Sequence, residues 1–349
     1  MTVFNAPEFD SHELVSISED KTSGLRTIIA VHSSARGPAC GGLRMWPYAT
    51  EAEALRDVLR LSRGMSYKNA LADLPLGGGK AVIWGDPRLS KSPALFHAFG
   101  RCVERLGGLY ITAEDVGTTT EDLAQVAKYT RHVTGLRTGA APSGDPSPLT
   151  AFGTFLSIKA ALKTRYGTDD PSGRRILVQG LGNVGAALCH QLHEAGASLL
   201  VSDINRERVL YAMDLFKCQG VEAGEVFQSD CDVYAPCALG ATLNEETIPR
   251  LRARIVVGAA NNQLASEEAG RMLFERGVLY GPDYVVNSGG IINAAAEVSG
   301  FYDERSVRTK IARIPLLLED IFNRSATERV PTNEIADAMA RARMRRNDA

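Results

Sequence analysis

The chain carries no surplus of charge of either sign: 39 Lys and Arg stand against 41 Asp and Glu, a formal net charge of −2 over 349 residues. A phosphate-backbone binder needs a basic excess, so nucleic acid is not an expected partner. The same balance removes a polybasic attraction to membrane. No uncharged apolar run approaches the roughly 18 residues of a spanning helix. The opening MTVFNAPEFDSHELV has neither a basic region nor an apolar one behind it, so no secretory signal is expected. The cysteines (Cys40, Cys102, Cys189, Cys218, Cys231, Cys237) form no CxxC pair and no zinc-like quartet. Free thiols in a reducing cytoplasm, and no metal, are the expectation. His190 and His193 beside Cys189 lack a carboxylate or second ligand pair and read as surface residues. What is plentiful is glycine, 33 residues, against a usual share of about 7%. Tight turns or close backbone approach are needed somewhere.

The length favours two domains. In the first third, 25–34 reads as a strand, and Thr50 with Glu53 forms a capping box opening a helix with Leu55, Val58, Leu59 and Met65 on one side. KAVIWG (80–85) and LYITAED (109–115) read as strands. The proline- and glycine-rich 138–148 is the expected boundary or hinge. A helix follows, then strands at 176–180, 199–203, 233–237, 255–260 and 279–287. Residues 306–328 and 332–346 read as helix, the arginines 341, 343, 345 and 346 being a solvated helix end. Strands alternating with helices predict an α/β fold with covered sheets.

Gly180-Leu181-Gly182-Asn183-Val184-Gly185 follows one strand and opens a helix, and the next strand ends in Asp203. That is the full context of a Rossmann dinucleotide fingerprint. Gly180 permits the turn, Gly182 lets backbone N–H groups approach a pyrophosphate, and Gly185 allows close helix–strand packing. Asp203 suits the adenine-ribose hydroxyls and repels a 2′-phosphate, so NAD is expected over NADP; nearby Arg206 weakens that preference without reversing it.

The second glycine cluster, Gly77-Gly78-Gly79-Lys80, is not a Walker motif, because Ala81 follows the lysine and Leu74 holds the place of the leading glycine. It predicts a lysine on a flexible, exposed turn before a strand. Lys68 lies twelve residues earlier at a helix end. Two lysines flanking one turn can lower a pKa, giving one general base and one anion holder, with Asp115 to handle the protons of an amine. Ordinary surface lysines remain the alternative at this point.

Taken together, GPACGGLRMWPY (37–48), MSYKNA (65–70), LGGGKAVI (76–83), TAEDVGTT (112–119), GDPSPLTAFG (144–153), VQGLGNVG (178–185), APCALG (235–240), GAANNQL (258–264) and YVVNSGGIIN (284–293) resemble the glutamate, leucine, valine and phenylalanine dehydrogenases, in order and over nearly the whole chain. The resemblance implies two α/β domains separated by a cleft. Residues 1–145 would carry the substrate groups, with the helix 331–349 packing back on them, and 146–330 would form a Rossmann-type NAD domain. It implies Lys80 and Asp115 as catalytic residues, and Lys68, Gly41 and Asn261 at the substrate carboxylate, with Asn262 hard to separate from Asn261. Thr150 and Asn287 would lie near the nicotinamide, and Cys237 and Ala238 also on the cofactor side. The implied reaction is reversible oxidative deamination to a 2-oxo acid, ammonia and NADH by a homo-oligomer.

In glutamate-specific members a lysine precedes the Gly-Gly pair; here that position is Cys40. The resemblance places Ala294, with Ile291 nearby, on the facing apolar wall of the other domain. A buried γ-carboxylate there would cost several kcal/mol, so the substrate is expected to be apolar. The small Cys40 and Ala294 lean toward phenylalanine, whereas Ala113 and the TAEDVGTT wording lean toward leucine or valine. A different Rossmann oxidoreductase, such as a 2-hydroxy-acid enzyme, would not need Lys68, Lys80 and Asp115 together, nor would a non-catalytic nucleotide-binding protein.

Overall fold

The computed structural model describes residues 3–136, 145–238, 240–300 and 302–345; most of the expected hinge, 138–144, and Arg346 lie outside them. The chain's contacts divide it into two units. The first is Met1–Asp145 with Ala294–Asp303 and Ala340–Ala349; the second is Pro146–Asn293 with Glu304–Met339. Two segments depart from the spans expected from sequence: 294–303 groups with the first unit, and 331–339 with the second.

The first unit runs β1 (Leu14–Asp20), β2 (Leu25–Ser33), β3 (Ala39–Trp46), α1 (Glu51–Leu71), β4 (Gly77–Trp84), α2 (Pro93–Glu104), β5 (Tyr110–Glu114) and α3 (Thr120–Val126). Its sheet has the order β1-β2-β4-β3-β5. The pairs β1–β2 and β2–β4 are antiparallel, and β3 is parallel to both β4 and β5. Side chains alternate between two covered faces. Ile29, Val31, Leu43, Ala81 and Ile83 pack with Phe96 and Phe99 of α2. Ile28, Ala30 and Val82 pack with Leu55, Val58 and Leu59 of α1. Burial on both faces is why the middle of β2, Ile28-Ile29-Ala30-Val31, is an unbroken apolar run.

Three local expectations need correction here. Gly77–Gly79 are not an exposed turn: they are the buried first residues of β4. A Cβ at Gly78 would lie 2.0 Å from the Ser66 backbone nitrogen of α1, and one at Gly79 2.7 Å from the Tyr110 ring. Close packing of strand against helix, not flexibility, is what these glycines provide. At the start of α1, the Thr50 hydroxyl accepts from Glu53 N–H, but the Glu53 carboxylate takes the N–H of Ala49 rather than that of Thr50. At the chain end, the arginine run is not simply solvated. Arg341 Nε donates to Tyr67 Oη at 2.8 Å, and Arg343 Nη1 to the Leu71 carbonyl at 2.6 Å, a cation on the last carbonyls of a helix.

Buried His12 supplies a pH test of this packing. Asp10 N–H donates to its Nδ1 at 3.2 Å, while its Nε2 faces Leu59 O and Ser62 Oγ at 3.1 and 3.0 Å. Nδ1 is therefore an acceptor and the ring is neutral. Burial, helped by His32, pushes the imidazole down to about 4. The unfolded chain binds this proton near pH 6.5, whereas the fold resists it to about 4. Stability is thus complete above the unfolded value and falls as pH drops between the two, by up to roughly 3 kcal/mol. Urea midpoints between about pH 7 and pH 5 should fall less steeply in His12→Gln than in the parent; equal slopes would contradict the assignment.

The second unit begins with α4 (Ser147–Tyr166), β6 (Arg175–Gln179), α5 (Asn183–Glu194), β7 (Ser198–Ser202), α6 (Arg206–Phe216) and β8 (Gln219–Gly220). It continues with β9 (Val233–Pro236), β10 (Ile255–Val256), α7 (Glu267–Glu275), β11 (Leu279–Tyr280) and α8 (Asp283–Val286). The helices α9 (Gly289–Val298), α10 (Glu304–Ile311), α11 (Ile314–Glu328) and α12 (Thr332–Arg345) complete the chain. The sheet is wholly parallel in the order β11-β10-β9-β6-β7-β8. The first strand is central and the order reverses beside it, which is the Rossmann arrangement.

Two expected elements are broken by proline. The strand expected over 279–287 ends at Tyr280: Gly281 N–H still donates to Val256 O at 2.9 Å, and Pro282, which caps α8, turns the chain out of the sheet. The helix expected over 306–328 is interrupted between Ile311 and Ile314, ahead of Pro315. Only Ile255 and Val256 of the 255–260 run are strand. His190 meets Phe216 edge-on and His193 meets it at a tilt, with ring centroids 4.8 and 5.5 Å away. Among the described residues no group of three or more His, Cys, Asp and Glu is arranged to hold a metal, and no helix is long and apolar enough to cross a membrane.

Candidate active site

The period-two alternation that builds the first unit's core also gathers its chemistry. Lys80 shares the parity of Val82 on β4, so it emerges on the α1 face of the sheet. Arg44 on β3 alternates with Leu43 and Met45, which face α2. Asp115 directly follows β5. Lys80 Nζ lies 2.8 Å from Asp115 Oδ2, with the side chains 6% and 15% exposed. Arg44 Nε donates to the same oxygen at 3.2 Å. Its Nη1 donates to Asp57 Oδ2 on α1 at 2.9 Å, and Tyr48 Oη also donates to that oxygen at 2.6 Å.

Electrostatics follow from this crowding. Burial pushes the Lys80 ammonium below its ordinary value; Asp115 pulls the other way, and the Arg44 charge adds to the push. Burial alone would raise the Asp115 carboxyl, but Lys80 and Arg44 outweigh it and hold the group well below the usual carboxylate range. The site therefore keeps an ionised carboxylate beside a lysine that releases its proton more readily than a surface lysine does. The sequence reading assigned the like-charge partner to Lys68. The structure adds Arg44, and Lys68 stands half-buried in the last turns of α1.

Around this pair, Cys40, Gly41 and Gly42 occupy the middle of β3, opposite Ile111, Thr112 and Ala113 of β5. A Cβ at Gly41 would lie 1.9 Å from Gly79 O, and one at Gly42 2.6 Å from the Asp115 Cβ. The glycine pair lets the strands close on the lysine–aspartate pair. Cys40 is fully buried, and burial raises its thiol to about 12, so it is inert. Ala294, expected on the other domain, belongs with the first unit: Thr134 Oγ1 donates to its carbonyl at 3.5 Å, and the Glu297 carboxylate accepts from Gly135 N–H at 3.0 Å. Ile291 stays with the second unit.

The second unit offers a nucleotide cradle. Gly180 has φ +100°, a left-handed conformation, and a Cβ there would meet Ala238 at 2.8 Å. Gly182 caps α5 with no side-chain hydrogen bond, and a Cβ there would touch nothing within 4 Å. The first N–H groups of α5, from Asn183 and Val184 onward, thus start a helix with open space before it. Gly185 packs so closely that its Cβ would lie 1.9 Å from Gly180 O. Cys237 N–H donates to Gln179 O at 2.7 Å, laying the loop after β9 beside the glycine turn. Asp203, just past β7, accepts from Leu181 N–H at 2.6 Å and from Asn205 N–H at 2.7 Å.

Farther along, Asn287 Nδ2 donates to Ala259 O at 3.0 Å and to Asn261 Oδ1 at 2.7 Å. Its own Oδ1 is buried with no hydrogen-bond partner among the described residues. That oxygen can accept a hydrogen bond from a donor that a ligand brings. Thr150 Oγ1 donates to Pro146 O at 3.0 Å and would sit 2.8 Å from a Cβ at Gly290, so these residues share one corner. Asn261 and Asn262 now differ: Asn261 is tied to Asn287, whereas Asn262 takes a left-handed φ of +52° in the turn behind it.

Comparison with known proteins gives the family. The model for the Glu/Leu/Phe/Val dehydrogenase dimerisation domain matches residues 11–132, and that for glutamate/leucine/phenylalanine/valine dehydrogenase matches 204–345. Leucine dehydrogenase of Bacillus subtilis (strain 168) is 47% identical over 346 residues, 99% of this chain and 95% of that protein. The chain belongs to the glutamate/leucine/phenylalanine/valine dehydrogenase family. Phenylalanine dehydrogenase of Bacillus thermotolerans is 42% identical, covering 97% of this chain and 90% of that one. The crystal structure of L-tryptophan dehydrogenase from Nostoc punctiforme matches with 42% identity and a TM-score of 0.82 over 97% of each chain. This dehydrogenase is an oxidoreductase that uses a pyridine nucleotide to deaminate an apolar amino acid. The dinucleotide fingerprint lay in plain sight in the sequence. Arg44, Asp57 and Tyr48 were missed because β3 and the pairing it brings were hidden by the double glycine.

Proposed function

We propose that Lys80 and Asp115 are the catalytic pair, with Lys68, Gly41 and Asn261 receiving the substrate α-carboxylate. The observation that carries this reading is the buried 2.8 Å contact of Lys80 with Asp115, where burial and Arg44 favour loss of the lysine proton. A bound nicotinamide supplies the hydride acceptor. Lys80, once neutral, takes a proton from the water that adds to the substrate iminium carbon. Asp115, ionised at the start, takes a proton from the substrate ammonium ahead of hydride transfer and returns it to the carbinolamine nitrogen; as the carbonyl forms, the nitrogen departs with the hydroxyl proton as ammonium, and Lys80 releases its proton to solvent. In the reverse direction the same groups work in the opposite order.

The cofactor proposed is NAD. Asp203 spends two of about four acceptor positions on backbone N–H groups, which orients its carboxylate and leaves acceptors for ribose hydroxyls. A 2′-phosphate there would face that negative charge. Gly180, Gly182, Asn183, Val184 and Gly185 would hold the pyrophosphate, Cys237 and Ala238 would flank it, and Thr150 and Asn287 would meet the nicotinamide. The enzyme would act in the cytoplasm, which its six free thiols suit, and as a homo-oligomer, to which the dimerisation-domain match points.

Leucine and valine are the proposed substrates. The volume argument for phenylalanine rests on Cys40 and Ala294, and Cys40 has no exposed surface, while identity is 47% to a leucine dehydrogenase and 42% to a phenylalanine dehydrogenase. Ala113, Ala294 and Ile291 keep the remaining wall uncharged, so phenylalanine is accepted at lower kcat/KM. One methylene discriminates by only about 1–3 kcal/mol, which predicts overlapping activity within the apolar class. A panel of leucine, valine, phenylalanine, tryptophan and glutamate with NAD and NADP tests this. Leucine with NAD should give the highest kcat/KM and glutamate the lowest; preference for glutamate or for NADP would overturn the respective assignment.

A further inference from the structure

Asp115 Oδ2 is shared. Lys80 and Arg44 both reach that one oxygen, at 2.8 and 3.2 Å, and Arg44 alone continues to Asp57. A buried lysine with a carboxylate to itself would be held as ammonium, since the opposite charge favours its protonated form. A guanidinium claiming the same oxygen divides that attraction and places a second positive charge beside the lysine. Arg44 never gives up its own proton, so its influence is constant across the working pH range. Asp57, which also receives the Tyr48 hydroxyl, offsets part of the Arg44 charge and anchors the guanidinium from α1. The row Lys80–Asp115–Arg44–Asp57 alternates in sign, and each member is at least three-quarters buried.

We propose that Arg44 is a positioning residue that sets, through Asp115, how readily Lys80 gives up its proton, and that Asp57 tunes Arg44. The proposal rests on Lys80 being the base. It places the control of the reaction's pH range on a β3–α1 ion pair outside the residues that touch substrate. It also gives Asp57, three turns before Lys68 on the same helix, a role that sequence spacing did not suggest.

Two substitutions should act with opposite sign. In Arg44→Gln the carboxylate turns wholly to Lys80 and the extra positive charge is gone, so Lys80 holds its proton to higher pH. In Asp57→Asn the Arg44 charge is no longer offset and Arg44 leans harder on Asp115, so Lys80 releases its proton at lower pH. The reading is the acidic limb of kcat/KM for the amino acid with the full-length enzyme and saturating NAD. The substrate amine ionises identically for every variant, so a displacement between variants belongs to the protein. We expect the limb to rise by about one pH unit in Arg44→Gln, to fall in Asp57→Asn, and to stay near the parent value in Arg44→Lys, which keeps the charge. If Arg44→Gln does not fold, the other two variants still carry the comparison. Limbs that coincide in all folded variants, or that move in the same direction for Gln and Asn, overturn the proposal. Lys80→Ala separates the underlying reading: if it keeps turnover and the parent limb, Lys80 is not the base and the reading of the pair fails with it.

Discussion

Lys80→Ala should lower kcat for oxidative deamination by a factor of about 10²–10⁴, the usual contribution of a positioned general base. The fold should survive, because Asp115 keeps Arg44 at 3.2 Å and is not left as an unpaired buried charge. KM for the amino acid should move little, since the α-carboxylate is assigned to Lys68 on another element. Steady-state kinetics together with a denaturation midpoint check both halves of this expectation. Retention of more than a tenth of the parent kcat in a folded variant would remove Lys80 from the chemistry.

A large structural effect is expected at Gly78. Its Cβ would be 2.0 Å from a backbone nitrogen of α1, a contact no side-chain rotation relieves. Gly78→Ala must push α1 away from β4, and overpacking of this kind costs about 1–3 kcal/mol or more. Ser66, the residue struck, lies two positions from Lys68, so the KM for amino acid should rise along with the loss of stability. Gly64→Ala on the same helix is the control. A Cβ there meets nothing within 4 Å, and replacing a mid-helix glycine by alanine stabilises by roughly 0.5–1 kcal/mol. Denaturation midpoints should therefore move in opposite directions; equal shifts would mean that the glycine run is not there for packing.

That pair of glycines also shows what was legible in the sequence and what was not. The Rossmann unit could be read almost residue by residue, because its fingerprint is local: strand, glycine turn, helix and acidic strand end follow one another within about thirty residues. The lysine–aspartate pair was legible as a set of residue types, but not as a geometry. The pair and its partners Arg44 and Asp57 come from β4, the end of β5, β3 and α1, and the strands among these are adjacent only after the sheet order β1-β2-β4-β3-β5 is formed. Glycine reads as a turn in a single sequence, so the start of β4 looked like one, and β3 was not marked as a strand. In the fold the absence of a Cβ serves close approach of strand to strand and strand to helix. Arg44 was hidden for the same reason, and the Pro282 and Pro315 breaks were overridden in reading by the apolar runs around them.

The central claim is that this chain removes and adds an amino group, rather than passing hydride to a carbonyl oxygen as a 2-hydroxy-acid enzyme would. The most direct measurement is oxidation of NADH in the presence of 4-methyl-2-oxopentanoate, with and without ammonium. The account predicts oxidation only when ammonium is present, with leucine as the product. NADH oxidation at the same rate without ammonium, yielding the 2-hydroxy acid, would contradict it.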